Sequence, residues 1–159
     1  MRIRIILKGA AHVGRPPFIS PLGVCQLKNM SPRGRLLAEV YRRGVSLRVS
    51  SRVIEVEPPD QDTPDLRALI DQHKAWLKEQ LTLPYDHDWV LDASQSIVRR
   101  AAAKLGDRPL PPEAAKALDD LDRAAVEGSR IGVLVALAGF EAAIEDMADG
   151  QRLRAADAS

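Results

Sequence analysis

The stretch LLAEVYRRGVSLRVSSRVIEVEPPDQDTPDLRALIDQHKAWLKEQL, residues 36–81, decides the fold. Its hydrophobic period changes twice. Leu36, Leu37, Val40 and Tyr41 recur at helical spacing, and Ser31-Pro32 supplies a cap and a first-turn proline, so the pattern predicts a helix from about Pro32 to Arg43. Gly44 is the expected left-handed stop. Val45, Leu47 and Val49 then alternate with polar residues, the period of a half-buried strand. Arg52 to Glu57 reads as a second strand, close enough to the first for an antiparallel hairpin turning at Ser50-Ser51. Pro58-Pro59 ends it, because proline cannot donate to a ladder. Thr63-Pro64-Asp65 then opens a helix with a cap, a first-turn proline and an acid facing the dipole. Leu66, Leu69, Ile70, His73, Leu77 and Leu81 keep its period, with room for a break at His73-Lys74.

The remainder is helical. Pro84 and Asp86-His87-Asp88 mark a connector, residues 83–88. Helices are expected over Trp89–Leu105, ended by Gly106, over Pro112–Glu127, and over Ser129–Met147. The fold class is therefore α+β: a small α-β-β-α(α) unit over residues 31–82, then an all-α region of about three helices over 89–148. The C-terminal helices would form a small bundle or pack on the first unit. Residues 149–159 read as a flexible tail.

Charge is divided unevenly. Residues 1–43 hold nine Lys/Arg and one acid, Glu39, against 14 basic and 21 acidic residues in the rest. Residues 1–30 read as a poorly ordered arm, with a short strand at Arg2–Leu7, and Met30 before Ser31-Pro32 reads as an alternative start. The longest apolar run, Ile131–Phe140, is ten residues, whereas a membrane span needs roughly 20. Cys25 is the single cysteine, which excludes an internal disulfide and suits a reducing, cytoplasmic setting.

Residues 36–81 resemble the N-terminal docking domain of hybrid nonribosomal peptide synthetases and polyketide synthases, the TubC type. That family runs LLxxLxxxGVxL into a hairpin, then a proline-containing turn and TPELRxxLxxHKxxLLxxL. Leu36, Leu37, Gly44, Val45 and Leu47 match the first half. Arg52, Val53, Pro58, Thr63, Pro64, Asp65, Leu66, Arg67, His73, Lys74, Leu77 and Leu81 match the second. The sequence departs at Ser51, where the family has Gly in the turn, and at Asp62, where it has an apolar residue. Glu55 and Glu57 also replace the basic residues many relatives carry on the second strand. The resemblance implies a non-catalytic protein-docking module. A partner's linear, often C-terminal, peptide would add as a strand to the edge of the second strand. The implied peptide-binding residues are Arg48, Arg52, Val53, Ile54, Glu55, Val56 and Glu57. Glu55 and Glu57 would favour basic peptide residues, Arg48 and Arg52 acidic ones. Such domains usually head a large synthetase, so the Ala-rich helices that follow here suggest a small free-standing accessory protein.

Two other readings compete. Arg33, Arg35, Arg42 and Arg43 would give a basic face for phosphates, as in a nucleic-acid-associated accessory protein of a phage, plasmid or other mobile element. Gly128, Gly132, Ala136 and Gly139 would give a small-residue seam for homodimerisation through the last helix. Neither a cofactor nor a metal is expected. Asp86-His87-Asp88 has ligand types, but adjacent residues rarely converge on one ion. His73 falls on an apolar face and reads as packing. Asp119, Asp120 and Asp122 share a polar helix face with Lys116 and Arg123. No nucleophile elbow, phosphate loop or zinc signature is present.

Overall fold

The computed structural model describes residues 30–157, without the side chains of 151–154. The element order is α1 (Pro32–Arg43), β1 (Ser46–Ser50), β2 (Val53–Glu57), a short 3-10 turn (Pro59–Gln61), α2 (Pro64–Gln72), α3 (Lys74–Thr82), α4 (His87–Leu105), α5 (Pro112–Glu127) and α6 (Arg130–Asp157). This is an α+β fold: among the described residues, one two-stranded antiparallel sheet and six α-helices. The Cys25 thiol and the strand expected at Arg2–Leu7 lie outside the described residues.

Local chemistry sets each boundary. Ser31 Oγ accepts the Gly34 amide at 3.0 Å and caps α1. Gly44 stops α1 in the left-handed conformation, φ 64°, with its N–H returned to Tyr41 and Val40 carbonyls. Thr63 accepts the Leu66 amide to start α2. The break in the following helix falls at His73, whose φ of −119° leaves the helical region. Asp86 accepts the amides of Asp88 and Trp89 and caps α4, so the connector is shorter than expected, residues 83–86. The tail expected to be flexible is instead helical: α6 continues to Asp157.

The core has three apolar clusters, and α6 runs through all of them. Leu36, Leu37 and Val40 of α1, Leu47 of β1, Ile54 and Val56 of β2, and Leu66, Ile70 and Leu77 of α2 and α3 bury together with Ala138 and Ala142 of α6. Phe140 and Ile144 of α6 pack with Val98 and Ala101 of α4 and Ala114 and Ala117 of α5. Val133, Ala136 and Leu137 of α6 pack with Val90 of α4 and Leu121 of α5. A helix apolar on all sides must be buried on all sides, which is why the run Ile131–Phe140 becomes the central helix. The hairpin unit and the helical region therefore share one core. Met30, placed in the arm by the sequence, is only 4 % exposed and belongs to the first cluster.

Two features tie α6 and α5 to α1. A Cβ on Gly139 would collide with the ring of Tyr41, so glycine lets α1 approach α6 closely. The Tyr41 hydroxyl then donates to Asp120 of α5 at 2.7 Å. Burial would raise the Asp120 carboxyl's pKa, but hydrogen bonds from Lys116 and Tyr41, with the charges of Lys116 and Arg123, outweigh it and lower the pKa. Burial, reinforced by Asp120, raises the pKa of the Tyr41 hydroxyl.

Candidate functional site

The hairpin turns at Ser51-Arg52, one residue later than expected, and both residues have positive φ, 47° and 70°. That is a type I′ turn, whose twist matches the strands and which ordinarily uses Asn and Gly. Arg52 thus belongs to the turn and not to the second strand. The register pairs Ser50 with Val53, Val49 with Ile54, Arg48 with Glu55, Leu47 with Val56 and Ser46 with Glu57.

A two-residue turn closes on a hydrogen-bonded pair, so the ladder's polarity follows. Val53, Glu55 and Glu57 direct their N–H and C=O groups inward to β1. Ile54 and Val56 direct theirs outward, away from β1. Of the four backbone stations expected for a peptide, Val53 and Glu55 are therefore already used by the hairpin, and Ile54 and Val56 form the edge. The side chains divide by the same parity. Ile54 and Val56 are buried beneath the sheet, while Val53 is 52 % exposed beside Glu55 and Glu57 on the outer face.

The charges on that face are paired across the hairpin. Arg48 bridges across the strands to Glu55 at 3.0 Å and to Glu57 at 2.6 Å. All three side chains are well exposed, so these pairs add little stability, and one arginine against two glutamates leaves a net negative charge. The edge itself is touched from α2. Arg67 Nη1 donates to the Ile54 carbonyl at 2.9 Å. The same guanidinium is held by Asp62: Nε donates to Oδ1 at 3.1 Å, and Nη2 donates to Oδ2. The hydrogen bond to Asp62 raises the pKa of Arg67, with burial acting against it. This trio was not singled out from the sequence; its one sequence signal is Asp62, a carboxylate five residues before Arg67.

The basic face does not assemble. Arg33 stacks on Trp76, 5.0 Å from the ring centroid. Arg42 pairs with Asp146 at 2.6 Å. Arg43 pairs with Glu39 at 2.7 Å and donates to Thr63 at 2.6 Å. Arg35 is exposed on α1. Arg100 and Lys104 of α4 form a ladder with Glu141 and Glu145 of α6, so they do not enlarge a basic surface.

The dimer seam is likewise spent within the chain. Gly128 is the left-handed cap of α5, φ 68°, and is not in α6 at all. Gly132 faces Ala124, whose Cβ would lie 3.0 Å from an added Cβ. Ala136 is buried in the third cluster, and Gly139 receives Tyr41. Trp76 packs on the first cluster, and Trp89 lies under Arg130, whose guanidinium sits 3.6 Å from the ring centroid.

Asp86-His87-Asp88 serves as a helix cap, with His87 Nδ1 3.5 Å from the Tyr85 hydroxyl. Among the described residues, no group of three or more His, Cys, Asp and Glu converges in a metal-holding arrangement, and no helix is long and apolar enough to cross a membrane. An open groove of about 400 Å³ lies between α1, the start of α5 and α6, with the Arg42–Asp146 pair at its rim. No protein-family model, no curated protein and no solved structure matches the chain.

Proposed function

We propose that this protein is a docking adaptor of the TubC-like kind, which takes a partner's linear peptide as a third strand on the outer edge of β2. The observation that carries the reading is the parity of the hairpin. Ile54 and Val56 turn their backbone groups away from β1, and among the described residues the sheet has two strands. Main-chain pairing there would supply affinity, and the exposed face around Val53, Glu55 and Glu57 would read alternate peptide side chains. The length of the edge limits the complex to weak affinity, on the order of micromolar to millimolar. The resemblance of residues 36–81 to such docking domains supports the same reading. Phosphate contact draws no support from Arg33, Arg42 and Arg43, which have partners within the chain.

A strand probe tests this without altering the protein. A capped, fluorescent peptide copying Val45–Ser50 repeats the alternation that β2 already accepts on its inner edge. The expected result is a parity effect. N-methylation of the peptide on one alternate set of residues abolishes binding, because those N–H groups face Ile54 and Val56. Methylation of the other set leaves binding unchanged. Equal sensitivity of both sets, or binding to neither the parent nor its derivatives, contradicts strand addition.

A further inference from the structure

The outer edge of β2 is not open along its length. Arg67 of α2 occupies one of its stations, the Ile54 carbonyl. Its Nη1 fills the outward carbonyl at 2.9 Å, and its stem is placed by α2 alongside the strand. A lone arginine would exchange this bond for water at little cost. Here Asp62 holds two other donors of the same guanidinium, which fixes the plane of the fork against the edge. A buried edge acceptor met by a clamped side chain is how natural sheets keep an edge from pairing indiscriminately.

We propose that Arg67 and Asp62 form an edge guard: a latch that closes the Ile54 station and must release before a partner strand pairs along β2. The inference rests on the docking reading and adds regulation to the same site. In the latched state the Ile54 carbonyl is taken by Arg67 and cannot accept from a partner strand. Once Arg67 swings away, Ile54 completes a two-station edge with two donors and two acceptors. Binding is therefore coupled to breaking one charged hydrogen bond, and removing the latch must tighten binding. A charged hydrogen bond of this kind corresponds to a change of about tenfold or more in affinity.

The test compares the full chain with Arg67→Met, which keeps the stem and removes every donor, and with Asp62→Asn, which keeps Arg67 and loosens its clamp. The probe is the capped Val45–Ser50 peptide, and each variant's fold is checked by its thermal transition. Arg67→Met is expected to bind about tenfold more tightly than the unaltered chain, with Asp62→Asn between the two. Should Arg67→Met fail to fold, Asp62→Asn carries the test with about a threefold gain. Folded variants that bind no more tightly than the unaltered chain overturn the guard and leave docking standing. Absence of binding in the unaltered chain and both variants overturns docking and the guard with it.

Discussion

Replacing Gly139 with alanine sets two known effects against each other, and the structure decides which wins. An alanine in a helix interior is favoured over glycine by about 1 kcal/mol. At position 139, however, the added Cβ falls within the ring of Tyr41. Overpacking of this sort costs about 1–3 kcal/mol. The ring cannot yield freely, because its hydroxyl is tied to Asp120 at 2.7 Å. Losing that hydrogen bond to a charged, half-buried acceptor adds about 1.5 kcal/mol. The net expectation for Gly139→Ala is a destabilisation of about 2 kcal/mol. In urea that shifts the midpoint down by about 1 M, taking a slope of about 2 kcal/mol per molar. The sharper test is the double-mutant cycle with Tyr41→Ala. With the ring removed, the three nearest atoms that the added Cβ would meet are gone, and the same substitution should become neutral or stabilising by up to about 1 kcal/mol. A stabilising Gly139→Ala in the unaltered chain, or an equal loss in both backgrounds, would refute the claim that α1 is seated on α6.

Other consequences are simpler to measure. Tyr41→Phe should cost about 1–1.5 kcal/mol at neutral pH. Because the folded pKa of Asp120 is lowered, this contribution is complete above the ordinary carboxylate pKa of 3.8 and is lost as pH falls through the folded value, so the difference between Tyr41→Phe and the unaltered chain should shrink in acid. An undiminished difference at low pH would show that the hydrogen bond does not depend on the carboxylate's charge. Asn-Gly in place of Ser51-Arg52 should raise stability by about 1 kcal/mol. Two non-glycine residues with positive φ give up about 1–2 kcal/mol each, and glycine's freedom in the unfolded chain returns only part of that. A lower melting temperature would contradict the turn assignment. Asp86→Ala removes the cap of α4 and should cost about 1 kcal/mol in the same denaturation assay.

Much of this fold is legible in the sequence because its punctuation is local. Ser31, Gly44, Thr63-Pro64 and Gly128 each act through bonds to residues a few positions away, and the helix ends fall where they are. Nonlocal facts escaped. The hairpin pivot moved by one residue because neither Ser51 nor Arg52 announces a positive φ, and that single step determines which backbone groups face outward. The small residues of α6 are the same in sequence whether they meet a second copy or Tyr41. Only the packing of α1 distinguishes the two. Likewise Arg42 and Arg43 read as one basic run, yet helical geometry sends the first to Asp146 and the second to Glu39 and Thr63. The Arg67–Asp62 pair lies within one short segment, but its target, the Ile54 carbonyl, is set by the strand's edge and appears only in three dimensions.

The central claim is that β2 receives a strand at Ile54 and Val56. Residue-resolved amide exchange of the labelled chain, with and without saturating Val45–Ser50 peptide, tests it most directly. The account predicts that the amides of Ile54 and Val56 slow sharply on addition of peptide, while those of Val53 and Glu55, already bonded to β1, change little. No slowing at Ile54 and Val56 under saturating peptide, or slowing confined to the helices, would contradict it.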